Sequence, residues 1–399
     1  MIRILELFGG IGAIRKAFER ENIPHKVIDY VEIDKYAVKS YNAMFNENFE
    51  VQDITTWNKD IDVDFIMHGS PCQDFSVAGK QAGGDLGSGT RSSLMYETIR
   101  IVGKLRPKYV MWENVKNLLS KKHKHNFDAY IETMNILGYN SYYQVLNAKD
   151  YGIPQNRERV YTISIRKDID KGTFKFPEKE ELKLKLKDML DKEVDEKYYL
   201  NDAQIDRIHT TTYNVGKTRI QEKDYCDTLC ARDWKDPKCI QIGNLVGGRW
   251  DKIYENCRRV YSEDGISPTI PTCQGGNTEP KVQTNITKEG YVEKKYNNFI
   301  KENGYVPQMF NPYNKSEIND IAPTQSTQCG STTSSSAVLK SEGKRIRKLT
   351  PKECWRLMGF DDEDFEKAKA VPTSDTQLYK QAGNSIVVNV LEKILLNLF

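Results

Sequence analysis

The sequence contains no long hydrophobic run, and its most closely spaced cysteines, Cys226 and Cys230, are four positions apart. No apolar stretch approaches the roughly 20 residues that a membrane-spanning helix needs, and the first residues enter a strand pattern without a signal peptide. We therefore expect a cytoplasmic protein with no membrane partner. The eight cysteines include no Cys-x-x-Cys pair and there are only five histidines, so neither a metal site nor a disulfide framework is predicted.

The sequence also lacks a strong excess of either charge. Its 59 lysines and arginines and 56 aspartates and glutamates leave a formal net charge of +3. This balance does not by itself indicate nucleic acid, so a binding face would have to come from local clusters such as the basic run 344–348. At 399 residues the chain is long enough for two domains, each with its own core.

Strand and helix patterns alternate along the first third of the chain. An apolar strand at 2–8 leads into Gly9-Gly10-Ile11-Gly12 and then into an amphipathic helix from about residue 13 to 21. This alternation predicts an open, mostly parallel α/β sheet. A glycine turn between a first strand and a first helix lets a ligand approach the backbone closely.

Two carboxylates follow at predicted strand ends. The second strand, at 26–31, ends in Glu32, and a third short strand is expected to end at Asp53-Ile54. Although such carboxylates often only cap helices, two of them behind a glycine turn favour a ligand that contains adenosine.

The most informative stretch is Pro71-Cys72-Gln73, which follows a short apolar strand at 65–67. A cysteine there lies at the edge of the sheet where parallel α/β proteins bind ligands, although a lone cysteine is more often a small buried thiol. The glycine-rich stretch 77–91 that follows predicts a lid. The next strand ends in Glu113-Asn114-Val115, where burial would keep the carboxyl group protonated for hydrogen bonding.

The remaining patterns organise the second half of the chain. Strands at 142–146 and 160–165 are predicted to pair, and between them Arg157 and Arg159 alternate on an extended segment that places both guanidinium groups on one face. A charged linker with a helix near 182–190 leads to short strands. Thr350 and Glu353 then form a capping box, and 381–385 open a C-terminal helix at 386–398, which places Asn384 near the ligand crevice.

The order of these motifs resembles that of the C5-cytosine-specific DNA methyltransferases of bacteria and phages. The resemblance covers about residues 1–165 and 345–399, and the middle region corresponds only to the position of the family's variable recognition domain. It implies a Rossmann-like α/β methyltransferase sheet with a smaller β-rich target-recognition domain inserted before the C-terminal helices. The implied domains are 1–200 for catalysis and cofactor binding, with a linker from about 167, then 201–343 for target recognition, and 344–399 for the helices that complete the catalytic domain.

The resemblance also implies a reaction and roles for individual residues. A methyl group would pass from S-adenosylmethionine to C5 of a cytosine flipped out of a specific short duplex sequence. Cys72 would add to C6 as a thiolate, Glu113 would bind the N3 edge, and Arg159 would bind the O2 edge, supported by Arg157 and Asn114. The cofactor residues would be Phe8, Gly10, Ile11, Gly12, Glu32, Ile33, Asp53, Ile54, Pro71, Leu94, Asn384 and Ile386, and the DNA contacts would include Ser76, Lys80, Gln81 and Arg91.

The implied partner is double-stranded DNA, with S-adenosylhomocysteine as the cofactor product and no metal. The enzyme is expected to be a monomer, and a cognate restriction endonuclease would form no stable complex with it. No portable motif in 201–343 reveals the recognition sequence.

Three other functions account for part of the pattern. A transfer-RNA cytosine methyltransferase of the related eukaryotic type would share the sheet but normally carries a Cys-Phe-Thr tripeptide, which does not occur here. An inactive DNA-binding regulator would have lost Cys72, Glu113 or Arg159, and all three are present. A nicotinamide dehydrogenase would explain the glycine turn and Glu32 but not Pro71-Cys72-Gln73.

Overall fold

The structure is a computed structural model that describes residues 1–71, 94–199 and 349–399 in full, together with Arg347 and the backbone of short segments between 241 and 348. The first part of the chain alternates strands and helices. In chain order these are β1 (Ile2–Leu7), α1 (Ala13–Arg20), β2 (His25–Val31), α2 (Lys35–Phe45), β3 (Phe65–His68), α3 (Met95–Leu105), β4 (Tyr109–Val115), α4 (Lys124–Ile136), β5 (Tyr139–Asn147), β6 (Gln155–Asn156) and β7 (Glu158–Arg166).

Six of these strands form one sheet in the order β2-β1-β3-β4-β7-β5. The first four run parallel, and β7 is antiparallel to both of its neighbours. The prediction of a mostly parallel α/β sheet is therefore confirmed, as is the pairing of the two later strands. Because parallel strands end on the same side, β1 to β4 bring their last residues to one boundary, which we call the carboxyl edge.

Helices cover both faces of the sheet. The C-terminal helices are α5 (Pro351–Arg356), α6 (Asp362–Ala370), α7 (Asp375–Asn384) and α8 (Val388–Leu398). They share one hydrophobic cluster with α1 and α2, while α3 and α4 contribute to a second cluster on the opposite face. The result is a three-layer arrangement in which β1, β3 and β4 are buried from both sides, and this explains their nearly continuous apolar runs.

Several predicted boundaries differ from the observed ones. No strand ends at Asp53-Ile54, because the Asp53 carboxylate accepts hydrogen bonds from the backbone N–H (2.9 Å) and hydroxyl (2.8 Å) of Thr55 and forms a local turn. The helix expected near 182–190 is a single 3₁₀ turn, Leu186–Met189. Residues 381–384 belong to α7, and extended backbone at Ser385 separates them from α8. The predicted end of the next strand in Glu113-Asn114-Val115 is confirmed, because β4 ends at Val115.

The described backbone between 241 and 348 consists mainly of short strands. They are β8 (Gln241–Asn244), β9 (Arg259–Ser262), β10 (Ser267–Pro268), β11 (Lys281–Asn285), β12 (Met309–Asn311), β13 (Ser316–Glu317), β14 (Val338–Leu339) and β15 (Lys344–Lys348). They form one four-stranded and one three-stranded sheet, while β10 pairs with β6 of the preceding region. The boundaries 201 and 343 for a recognition domain stay a prediction.

A buried ion pair joins β15 to α5. Arg347 and Glu353 are 1% and 0% exposed, and their two hydrogen bonds measure 2.7 and 2.8 Å. Glu353 also accepts from the backbone N–H of Thr350 at 2.7 Å, which completes the predicted capping box, and from that of Asp191 at 2.8 Å. Arg347 belongs to the basic run 344–348, but its side chain is buried inside the protein and pairs with Glu353.

This ion pair yields a stability prediction. Arg347→Met should lower the free energy of unfolding by about 3–5 kcal/mol, because Glu353 would keep a buried charge without its main partner. Lys352→Met is the matched control, because Lys352 lies on α5 beside Glu353. Its ion pair with Glu366 is partly exposed, so the loss should stay below about 1 kcal/mol. Urea unfolding measures both variants, and similar small losses would contradict the assigned role of the buried pair.

Candidate active site

The glycine turn after β1 reaches the carboxyl edge in a conformation that few residues adopt. Gly10 and Gly12 have φ angles of +54° and +77°, and Phe8 also has a positive φ of 53°. A Cβ added at Gly12 would lie 2.5 Å from the ring of Phe45, whereas one at Gly10 would meet nothing within 4 Å. Packing therefore requires glycine at position 12, while Gly10 faces open space. The intervening Ile11 is buried in the core, 1% exposed.

The end of β2 fixes this turn through Glu32. Its carboxylate accepts hydrogen bonds from the backbone N–H groups of Gly10 at 3.1 Å and Asp34 at 2.8 Å. Burial raises the pKa of Glu32 above its ordinary value, although these backbone donors act in the opposite direction. The neighbouring Ile33 leaves 66% of its surface exposed. This edge thus combines an anchored carboxyl group, open space beside Gly10 and an exposed apolar side chain.

The other residues predicted to bind a cofactor lie around the same edge. Phe8, Ile54 and Leu94 belong to one hydrophobic cluster, in which Ile54 is 5% exposed. Asp53 is exposed on its turn. The end of the chain contributes exposed Asn384 and partly buried Ile386, and Pro71 is also partly buried.

A buried carboxyl group lies beside an arginine in the middle of the carboxyl edge. Glu113 is 8% exposed, and its Oε1 lies 3.2 Å from Nε of Arg159. Their orientation does not make a hydrogen bond, and Oε1 has no other donor among the described residues. Burial raises the pKa of Glu113 above its ordinary value, while Arg159 and Arg157 lower it to a smaller extent. The group is thus suited to hold a proton and to offer it to a ligand.

Arg157 and Arg159 contact different parts of the protein. The Arg159 guanidinium lies beside Glu113, whereas Arg157 is 4% exposed and donates to the backbone carbonyls of Gly383 at 3.2 Å and Ser385 at 2.8 Å. Arg157 thereby holds the connection between α7 and α8 against the sheet. Gly69 lies between the two regions, since a Cβ there would be 3.6 Å from Ile386 and 3.7 Å from a carboxyl oxygen of Glu113.

Asn114 connects β4 to the segment that follows β3. Its side-chain amide donates to the carbonyl of Ser70 at 3.2 Å, and its oxygen accepts from the backbone N–H of Val115 at 2.8 Å. Ser70 also accepts from the indole N–H of Trp112 at 3.0 Å. The sequence motifs did not single out Trp112, because it has the pattern of an ordinary apolar strand residue beside the more distinctive Glu113.

Five predicted residues lie outside the described part of the chain, namely Cys72, Ser76, Lys80, Gln81 and Arg91. Among the described residues, no group of three histidine, cysteine, aspartate or glutamate side chains could hold a metal ion. None of the described helices is both long and apolar enough to cross a membrane.

Comparisons with known proteins cover the whole chain. A family profile described as C-5 cytosine-specific DNA methylase matches residues 2–399. The orphan methyltransferase M.SPBetaI of Bacillus phage SPbeta is 33% identical, with 98% of this chain and 96% of that protein covered. The type II methyltransferase M.HhaI of Haemophilus parahaemolyticus is 32% identical, with coverage of 100% and 94%.

Solved structures with the same fold are more distant in sequence. The crystal structure of the S. pombe Dnmt2 methyltransferase superposes with a TM-score of 0.59 at 17% identity, covering 100% of this chain and 98% of that one. The Entamoeba histolytica methyltransferase EhMeth gives a TM-score of 0.61 at 16% identity with the same coverage. Because their sequence identity is so low, these structures show only that the chain has this fold.

Proposed function

This chain belongs to the C-5 cytosine-specific DNA methylase family, and on that premise we propose how its residues carry out cytosine C5 methylation. The methyl donor would be S-adenosylmethionine, and the substrate a cytosine flipped out of a short specific duplex sequence. The observation that supports this most is the buried Glu113 beside Arg159, at the edge where the glycine turn also ends. Family membership excludes a nicotinamide dehydrogenase.

The residues around the glycine turn fit the adenosine part of the donor. Gly10 faces open space, Glu32 offers a carboxylate at the end of β2, and Ile33 presents an exposed apolar side chain. Glu32 would bind the ribose hydroxyls, while Phe8, Asp53 and Ile54 would surround the adenine. Pro71, Leu94, Asn384 and Ile386 would line the remainder. When bound, S-adenosylmethionine supplies an electrophilic methyl group.

Glu113 and Arg159 would prepare the cytosine for attack. Carbon C5 of cytosine is a weak nucleophile, so the ring must first be activated by the addition of the Cys72 thiolate to C6. Glu113 in its protonated form would donate to N3, where negative charge develops during this addition. Arg159 would donate to O2 and orient the ring. After methylation, loss of the C5 proton and release of the thiolate restore the aromatic ring.

Arg157 and Asn114 would support these groups without contacting the base directly. Arg157 holds the carbonyls on either side of Asn384, and Asn114 holds the carbonyl of Ser70, one residue before Pro71. The side chains of Arg157 and Asn114 thus connect β-strands to the loops that would surround the cofactor and the base.

Bisulfite sequencing provides the direct test of this function. The protein would be expressed in cells that lack cytosine methylation, and their DNA converted and sequenced. Protected cytosines in one short recurring context are expected, and the context would also identify the target sequence. If all cytosines convert despite folded protein, the proposal fails for DNA, and transfer RNA would be tested with the same chemistry.

The glycine turn gives a prediction about the cofactor. Gly10→Ala should weaken S-adenosylmethionine binding by about tenfold or more, because its Cβ would enter the open space assigned to the cofactor, and the positive φ of Gly10 adds a loss of stability. Gly12→Ala should mainly lower the melting temperature, because its Cβ would collide with Phe45. Titration calorimetry and thermal unfolding separate the two effects. Wild-type cofactor affinity in Gly10→Ala would place the cofactor elsewhere.

We also propose that residues 201–343 form the target-recognition domain. Replacing roughly residues 200–340 with the corresponding region of another family member should change the methylated sequence while leaving the reaction unchanged. Base contacts in the major groove would come from this region, with basic residues on phosphates setting the register. Bisulfite sequencing of the chimera reads the outcome, and an unchanged target would refute the domain assignment.

The loop contacts and partners are proposals of the same kind. Ser76, Lys80, Gln81 and Arg91 would contact DNA around the flipped base. We propose a cytoplasmic monomer that releases S-adenosylhomocysteine and forms no stable complex with a restriction endonuclease. The relatives carry both kinds of name, orphan methyltransferase and type II methyltransferase, and support neither a partner nor its absence.

A further inference from the structure

Ser70 is held by three contacts that all come from β4. The residue is 3% exposed and lies two positions after the last residue of β3. Its hydroxyl oxygen accepts from Nε1 of Trp112 at 3.0 Å, and Nδ2 of Asn114 lies 3.2 Å from its carbonyl and 3.4 Å from its hydroxyl. Both the side chain and the backbone of Ser70 are therefore fixed relative to the strand that carries Glu113.

Trp112 is itself locked in place by aromatic neighbours. It is 1% exposed, with the ring of His68 nearly parallel to it at 5.7 Å and that of Tyr130 at 4.1 Å. His68 is further held by a 3.0 Å contact between its Nε2 and the hydroxyl of Tyr130. Because a closely packed indole cannot rotate, its N–H points in one direction, toward Ser70.

We propose that Trp112 and Ser70 are positioning residues for the nucleophile. The indole N–H, through the Ser70 hydroxyl, fixes the turn at 69–71 and with it the point from which Cys72, the residue after Pro71, approaches the base. This inference rests on the proposed function, which assigns the nucleophile to Cys72. Neither side chain needs to touch substrate or cofactor for this role. Its physical basis is that small displacements of a reacting group cause large losses of rate.

Two single substitutions and their combination test this role. Trp112→Phe removes the donor and keeps an aromatic ring, while Ser70→Ala removes the acceptor. Each should lower the single-turnover methyl-transfer rate at saturating DNA and S-adenosylmethionine by about fivefold to twentyfold, the effect of one hydrogen bond on a barrier. Binding constants for both substrates should stay within about twofold. The double variant should be no slower than the slower single variant, because both changes break the same contact.

Trp355→Phe is the matched control. Trp355 on α5 is 0% exposed, and its indole N–H donates to the carbonyl of Leu378 at 3.0 Å. The substitution removes the same kind of buried hydrogen bond at another place. It should lower the melting temperature by an amount similar to that in Trp112→Phe and leave the methyl-transfer rate unchanged.

Ser70→Thr keeps the test decisive if Trp112→Phe does not fold. Threonine retains the hydroxyl acceptor, so this variant should recover most of the rate lost in Ser70→Ala. The inference is overturned if Ser70→Ala transfers methyl groups at the wild-type rate, if its loss persists in Ser70→Thr, or if the two single losses multiply in the double variant. A wild-type protein that methylates no cytosine would instead refute the proposed function, so the two failures are distinguishable.

Discussion

Cys72→Ser is expected to reduce methyl transfer by on the order of 10⁴-fold or more, the scale seen when a covalent nucleophile is removed. A serine hydroxyl without an adjacent base stays protonated at neutral pH and adds poorly to C6 of cytosine. The affinity for S-adenosylmethionine should change by less than about threefold, because the proposed cofactor contacts come from Gly10, Glu32 and their neighbours. Single-turnover methyl transfer and titration calorimetry give the two quantities.

A second cysteine provides the control for this substitution. Cys354 is a buried cysteine on α5 with 0% exposure, and Cys354→Ala should retain the wild-type rate even if it unfolds at a lower temperature. Wild-type turnover by Cys72→Ser would eliminate the covalent mechanism. Equal losses in both cysteine variants would point to a structural role for Cys72.

Glu113→Gln is expected to lower the methyl-transfer rate by about 10²–10³-fold, the usual effect of removing one group that stabilises developing charge. Glutamine can donate a weak hydrogen bond to N3 but cannot transfer a proton to it. Glu158→Gln is the matched control. Glu158 lies on β7 in a partly exposed ion pair with Lys116, so its loss should leave the rate within about twofold. A Glu113→Gln variant with the wild-type rate would refute its catalytic role.

The raised pKa of Glu113 also determines how stability depends on pH. Because burial raises the pKa in the folded state, the stability contribution of Glu113 is complete below the ordinary glutamate pKa and is lost as the pH rises through the raised value. Glutamine has no such titration. In urea unfolding, Glu113→Gln should therefore lose less stability than the wild type as the pH rises above the ordinary glutamate pKa, while being far less active. A variant that gains pH dependence would contradict the protonated state assigned to Glu113.

Much of the fold could be predicted because its signals are local. The alternation of strands and helices follows from residue periodicity, and the capping box at Thr350 requires residues only three positions apart. The prediction of a strand ending at Asp53-Ile54 was wrong, and its cause is also a local contact. Asp53 accepts a hydrogen bond from the backbone N–H of Thr55, two residues away, and a local turn lies where the end of a short strand was predicted.

The candidate site was predictable in its residues but not in their contacts. The motifs singled out Glu113, Asn114, Arg157 and Arg159. The alternation of Arg157 and Arg159 along the chain, however, predicted only that both guanidinium groups lie on one face. In the structure Arg159 lies beside Glu113, while Arg157 binds carbonyls at positions 383 and 385. No pattern within 155–161 contains that information, because the partners are more than 220 residues away in the chain.

The sequence by itself determined the α/β class, the glycine turn, the candidate nucleophile and the family, because each depends on residue identities close together or in a characteristic order. Only the tertiary structure decided that Arg347 is buried with Glu353, that Gly10 faces open space while Gly12 faces a ring, and that Trp112 holds Ser70. Burial and hydrogen-bond partners depend on which elements pack together, and packing between distant segments is set by the whole fold.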